Sequence, residues 1–176
     1  MDIRDFEVEA LNRTRAATLR IIQDVSQEQL RWQPAPLANH IGFLLFHIFR
    51  VDDRYFHSWI AKSTEVWERD GWASRWQLPS PPSNPDPIWQ VGNSWTPEEV
   101  ASWEPPSLAE LLEYGAAVRE SALNTVRDLD LSRLGETPRP QYPEWTVSYY
   151  LHQAIRHEAQ HQGQIDYILG LMKAGS

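Results

Sequence analysis

The chain contains no cysteine, so its fold draws on no disulfide, and neither a thiolate nucleophile nor a thiolate metal ligand is available to it. Positive charge is also scarce. Sixteen Lys and Arg stand against 24 Asp and Glu, a net charge of −8, and no basic cluster occurs. Phosphate backbones and anionic membrane surfaces are held by concentrated Lys and Arg, so nucleic acid and membrane are excluded as main partners. Long apolar runs are missing too. The most apolar stretch, 41–49, is interrupted by His47 and is far shorter than the roughly 20 residues that span a bilayer. Met1-Asp2-Ile3-Arg4-Asp5-Phe6 has no basic region followed by an apolar run, so no signal peptide is visible and a cytoplasmic location is expected. No segment sustains the alternation of a half-buried strand.

What is present is helical periodicity. At 176 residues the chain has the size of one domain, 1–176, with room for a full core. Over about 2–25, Ile3, Phe6, Ala10, Ala17 and Ile21 recur at helical intervals and predict an inward face. Ser26-Gln27-Glu28-Gln29 has capping-box form, and Pro34 and Pro36 close a short connection. A second helix, about 38–61, is expected to turn Leu44, His47, Ile48, Val51 and Tyr55 inward, with Arg50, Asp53 and His57 toward the rim or solvent. The third begins at Ser107, which forms a capping box with Glu110, and carries Leu108, Leu111, Gly115, Val118, Ala122, Val126 and Leu129 along one face. After a proline-punctuated loop, Thr146 caps a fourth helix to about 173. Its inner side is read as Val147, Tyr150, Leu151, Ala154, Glu158, His161, Ile165, Ile168 and Met172.

Four long amphipathic helices predict an all-α four-helix bundle, and an up-down-down-up order requires one long crossover. Segment 62–106 can supply it. There Trp67, Trp72, Trp76, Trp89, Trp95 and Trp103 are scattered among Pro79, Pro81, Pro82, Pro85 and Pro87 without a lasting period. Long irregular segments in compact domains are usually functional or mobile. The aromatics here predict packing across the bundle mouth or into a dimer contact rather than a dangling linker, with a satellite hydrophobic cluster that covers the bundle side as the alternative. Within the segment, Thr96-Pro97-Glu98-Glu99 marks a short helix start.

The histidines carry the chemistry. Of the six, His157 and His161 stand four residues apart, a spacing that places both rings on one helix face with Cβ atoms about 5–6 Å apart. His47 sits in a different apolar stripe. A lone histidine on an apolar face is more often a hydrogen-bonded core residue than a ligand, so the pair is what points to a metal. Two imidazoles buried without partners would cost several kcal/mol, and one ion satisfies both. Three histidines leave that ion an open coordination position, the arrangement of catalytic rather than structural sites. His40, His57 and His152 read as rim or supporting residues.

His157-Glu158-Ala159-Gln160-His161 also matches H-E-x-x-H, the metalloprotease motif in which Glu is the general base. Such enzymes take a third ligand downstream, yet the fifteen residues after His161 contain neither Glu nor His, and no strand is visible to hold a peptide. Glu158 is therefore read first as a structural residue, orienting an imidazole or pairing with an arginine on a neighbouring helix. A catalytic role as a base near the metal is the alternative.

Two blocks resemble a known family. Asn39-His40-Ile41-Gly42-Phe43-Leu44-Leu45-Phe46-His47-Ile48-Phe49-Arg50-Val51-Asp52-Asp53-Arg54 is followed far downstream by His157-Glu158-Ala159-Gln160-His161-Gln162-Gly163-Gln164-Ile165. In this order they resemble the DinB/YfiT-like superfamily of metal-binding four-helix bundles, over essentially the whole chain. The resemblance implies one divalent ion, zinc or nickel, on His47, His157 and His161. It also implies frequent homodimers and a small-molecule substrate. Relatives of this kind include transferases and isomerases that use a low-molecular-weight thiol such as bacillithiol, mycothiol or glutathione. Others are described as metal-dependent hydrolases, and many have no known activity. The long Trp/Pro-rich segment departs from the simplest members. Thiol transfer to a small electrophile, hydrolysis through metal-bound water, and a non-catalytic, stress-associated metal-binding role all stay open at this point.

Overall fold

The computed structural model describes residues 2–81 and 88–175; Pro82, Pro85 and Pro87 lie outside the described residues. Helix α1 (Ile3–Ile22) starts at an Asp2/Asp5 capping box, and α2 (Gln27–Arg31) at the expected Ser26/Gln29 box. Helix α3 (Ile41–Asp53) is capped by the His40 ring, whose Nδ1 accepts from the Phe43 amide, and it runs directly into a π-helix (Arg54–Ala61). Short helices α4 (Val66–Arg69) and α5 (Trp72–Arg75), a 3-10 turn (Trp89–Val91) and α6 (Pro97–Ser102) follow. Thr96 and Glu99 cap α6 reciprocally, with Pro97 in its first turn. Helix α7 (Leu108–Arg127) begins at the Ser107/Glu110 box, and α8 (Val147–Ala174) at Thr146. The described residues include no strand, and none of their helices is long and apolar enough to cross a membrane.

Two apolar clusters set the directions of the long helices. One joins Ile22, the segment 41–49, Leu111, Val118 and Ile165; the other joins Leu11, Phe56, Ile60, Ala122, Val126 and Val147. Helices α1 and α8 therefore run one way, and α3 and α7 the other. Each of α1 and α8 packs on α7 or α3 as well as on its parallel partner, closing the bundle in up-down-down-up order. Helix α7 approaches α3 closely at Gly115, where a Cβ would meet the Phe49 ring at 2.7 Å.

The expected faces of α7 and α8 match the buried residues, but those of the first two helices need correction. In α1, Ile3 and Phe6 are exposed, at 48% and 59%, while Glu7, Leu11, Arg15, Thr18 and Ile22 are buried. The true inner face is half polar because it meets buried charges on other helices, so an apolar stripe was the wrong guide. In α3 and the π-helix that continues it, Arg50, Asp53 and His57 are buried rather than turned to the rim. The crossover segment is the reason, since it covers the side of α3 that a bare four-helix bundle would leave wet.

All six of its tryptophans are buried. Phe46 of α3 meets Trp67, Trp76, Trp95 and Trp103 with ring centroids 5.0–6.4 Å apart, and Tyr114 of α7 meets Trp67, Trp72 and Trp76. The segment is thus part of the core rather than a linker. Polar contacts pin it in place. Asp53 accepts from the backbone amides of Val66 and Trp67 at 2.9 and 2.8 Å, from Arg50, and from the Tyr114 hydroxyl. It also accepts from His57 Nδ1, and the other ring nitrogen, Nε2, is hydrogen-bonded to the Ser121 hydroxyl on α7 at 2.7 Å. Arg50, with its guanidinium over the Trp67 ring, pairs with Glu65 as well.

Candidate metal centre

His47, His157 and His161 come together between α3 and α8, with one nitrogen from each ring inside a span of 4.8 Å. His47 Nδ1 donates to the Val91 carbonyl at 2.5 Å. Since a carbonyl only accepts, this bond fixes the tautomer and leaves a lone pair on Nε2. His161 is oriented likewise by Nδ1 and the Gln164 side-chain oxygen at 2.9 Å. The Nε2 atoms of His47 and His157 lie 3.0 Å apart, and those of His157 and His161 3.1 Å apart.

Burial is the main cause holding all three rings below the ordinary imidazole pKa. It brings His47 to about 4 against the Val91 hydrogen bond, and His157 to about 2 with help from the neighbouring rings; it lowers His161 against the opposing Gln164 hydrogen bond. At neutral pH three uncharged imidazoles aim nitrogens at one point. That donor set suits zinc, nickel and similar ions. The two Nε2 spacings are close to the roughly 3.3 Å that a tetrahedral ion with bonds of about 2.0–2.1 Å sets. His157 Nδ1 is buried without a hydrogen-bond partner, so nothing in the protein commits its proton to that side.

The Val91 carbonyl is an element that sequence reasoning missed, and it comes from the crossover segment. Gly92 makes it possible. Its φ is +87°, and a Cβ there would lie 2.9 Å from the Phe43 ring and 3.6 Å from His47 Nδ1. The only hint in the sequence is a glycine within an aromatic-rich stretch. Gly92→Ala is expected to displace Val91 and loosen His47, weakening metal affinity about ten- to hundredfold, the usual cost of losing a partner that orients a ligand. Competition with a chromophoric chelator measures this, and an unchanged affinity would rule out the Val91 contact as a determinant.

Glu158 is placed otherwise than a general base requires. It is fully buried, with Oε1 accepting from Arg15 Nε at 2.7 Å and Oε2 from Arg119. Both arginines also reach Asp52, at 3.2 and 2.9 Å. The pairing with arginines on neighbouring helices is thus the role that the geometry shows, and it ties α8 to α1, α3 and α7 directly behind the histidines. Of the remaining histidines, His40 caps α3 and bonds the Val100 carbonyl, His57 belongs to the Asp53 cluster, and His152 is exposed.

Cavities flank the histidines on two sides. One, of about 260 Å³, is lined by Tyr55, Trp59, Arg139, Trp145, Tyr150 and His157. The other, of about 230 Å³, is lined by Asn39, Phe43, His47, Trp95 and His161. Asn93 lines both. A larger and more open hollow beside His57 and Ser121 shares no residue with this centre.

The family model of the DinB superfamily matches residues 10–165. No curated protein matches the chain. Among solved structures, a conserved protein from Enterococcus faecalis superposes with a TM-score of 0.82 at 22% identity, over 96% of this chain and 95% of its own. At that identity the likeness shows the fold.

Proposed function

We propose that this chain, which belongs to the DinB superfamily, is a metal-dependent enzyme that transfers a low-molecular-weight thiol to a small electrophile. His47, His157 and His161 would hold one divalent ion, zinc or nickel. The observation that carries this reading is the convergence of three neutral nitrogens at a point flanked by two cavities. A divalent ion held there supplies a positive charge that lowers the pKa of a thiol or water reaching it.

The chain's own residues supply position. Val91 and Gln164 hold two of the rings in one tautomer. Phe43 stacks on His47 at a centroid distance of 5.9 Å and Trp95 packs on Phe43, so apolar contact holds the His47 ring in place. Two separate cavities let two reactants approach from different directions, which suits a transfer better than a hydrolysis. No cysteine is present, so the sulfur must arrive from outside. Glu158, engaged by two arginines, holds the frame of the site and moves no proton in this scheme.

The test offers a panel of electrophiles with bacillithiol, mycothiol, glutathione and coenzyme A, alongside esters and amides without thiol, to zinc- and nickel-loaded protein. Thiol-dependent turnover that falls at least about hundredfold in His47→Ala is the expected result. Turnover of the thiol-free substrates alone, lost in the same variant, would make the protein a hydrolase. A thiol-dependent rate indifferent to His47→Ala would sink the proposal.

A further inference from the structure

The cavity on the His157 side is about 260 Å³, just under the roughly 300–1,000 Å³ of pockets for drug-sized ligands, so it suits a molecule of about one ring. Its walls are aromatic. Trp59 packs on Tyr55 and Tyr150 with centroids 5.1 and 4.9 Å away, and Trp145 stacks between Tyr142 and Tyr149 at 4.3 and 5.6 Å. Arg139 lies among them, its guanidinium carbon 4.3 Å from the Trp59 ring centre and 4.4 Å from that of Tyr142. Stacked in this way, a guanidinium keeps its in-plane N–H groups available. Arg54 in the same wall pairs with Glu65 and Gln90, whereas no carboxylate pairs with Arg139 among the described residues.

Two further polar groups belong to this wall. The Tyr150 hydroxyl, on a residue only 1% exposed, has Arg139 as its polar neighbour, and His157 Nδ1 is buried without a hydrogen-bond partner. A buried donor left unpaired costs about 1–3 kcal/mol. A cation, a phenol and an imidazole nitrogen around one small cavity are the complement of a negatively charged acceptor.

We propose that this cavity binds a small, flat organic carboxylate, with its charge on Arg139 and the Tyr150 hydroxyl and its planar body against Trp59 and Trp145. The guanidinium presents paired donors that match the two oxygens of a carboxylate. A planar unsaturated body packs against the edges of these rings as a tetrahedral anion does not. The inference rests on the preceding functional reading in one respect: the electrophile is a carbon–carbon double bond conjugated with this carboxylate, and the thiol, entering from the His47 side, adds across it, the C–S bond forming as the π bond is lost and the thiol's proton ending on the neighbouring carbon.

Isothermal titration of the metal-loaded full chain with benzoate and cinnamate, against benzamide and inorganic phosphate, tests the assignment. The carboxylates should bind, and benzamide and phosphate at least about tenfold more weakly. Arg139→Gln should weaken carboxylate binding about ten- to hundredfold, and Tyr150→Phe several-fold, with metal content and melting temperature unchanged. Benzamide binding as well as benzoate, phosphate matching it, full affinity in Arg139→Gln, or no heat with any probe would each overturn the proposal. The two readings fail separately. Carboxylate binding without any thiol turnover leaves the cavity assigned and removes the transferase. Turnover that carboxylates neither support nor inhibit keeps the transferase and removes the cavity.

Discussion

His161→Ala, purified without a histidine tag, is expected to carry less than about one tenth of the metal found in the unsubstituted protein, which should hold about one ion per chain. Losing a hydrogen bond that merely orients a ligand costs about ten- to hundredfold in affinity, so losing the ligand itself should exceed that. His161 is the best of the three to remove. It is half-buried and lies at the outer side of the centre, so alanine there leaves the packing of His47 against Phe43 and Val91 intact. Elemental analysis reads the stoichiometry, and circular dichroism shows that the bundle persists. Equal metal in both proteins would remove the three-histidine assignment and the transferase reading with it.

Glu158→Ala is expected to cost about 3–5 kcal/mol of folding stability, because it strands two buried arginines. Arg15 and Arg119 are each only 6% exposed, and Asp52 alone would then face both. The pH dependence has a definite sign. Burial pushes the Glu158 carboxyl upward, but Arg15 and Arg119 outweigh it and hold its pKa below the ordinary value. Its contribution is therefore present above the unfolded-state pKa and lost as the solution is acidified through the folded-state value.

Two neighbours act oppositely. Burial raises Glu7 to about 7 against the pull of Arg119, and raises Asp52 to about 6 against Arg119 and Arg15. Each keeps a proton in the fold that the unfolded chain gives up above about pH 4–5, so stability declines as pH rises from there toward 7. Glu7→Gln is accordingly expected to stabilise the protein at pH 8 by on the order of 1–3 kcal/mol and to change little at pH 4. Urea denaturation at the two pH values checks both variants. A Glu158→Ala midpoint equal to that of the parent would show that the arginine cluster is not what holds the helices behind the site.

The caps were legible because a cap is a local event. Ser26 with Gln29, Thr96 with Glu99, Ser107 with Glu110 and Thr146 each meet an amide three residues away, whatever the rest of the chain does. The inner faces of α7 and α8 were legible for a related reason: their buried positions are mostly apolar, so the period of the helix shows through. In α1 the same method chose Ile3 and Phe6, because it looks for apolar residues and the buried face there carries Glu7 and Arg15. Charged groups become tolerable in a core only when partners from other helices arrive, and nothing in a local window reports those partners.

The candidate centre divides along the same line. By itself the sequence determined that His157 and His161 share a face, since four residues make about one helical turn, and that any sulfur chemistry must use an external thiol. Only the tertiary structure decided that His47 Nε2 comes within 3.0 Å of His157, that Val91 holds its ring, and that Arg139 stacks above a cavity beside it. These contacts join residues 44 to 110 positions apart, and the Val91 contact comes from a crossover whose path is set by burial of its tryptophans against α3 and α7 rather than by any periodic pattern. A helix repeats its own geometry and so announces its faces. An irregular segment takes its shape from the surface it covers, which exists only once the bundle has formed.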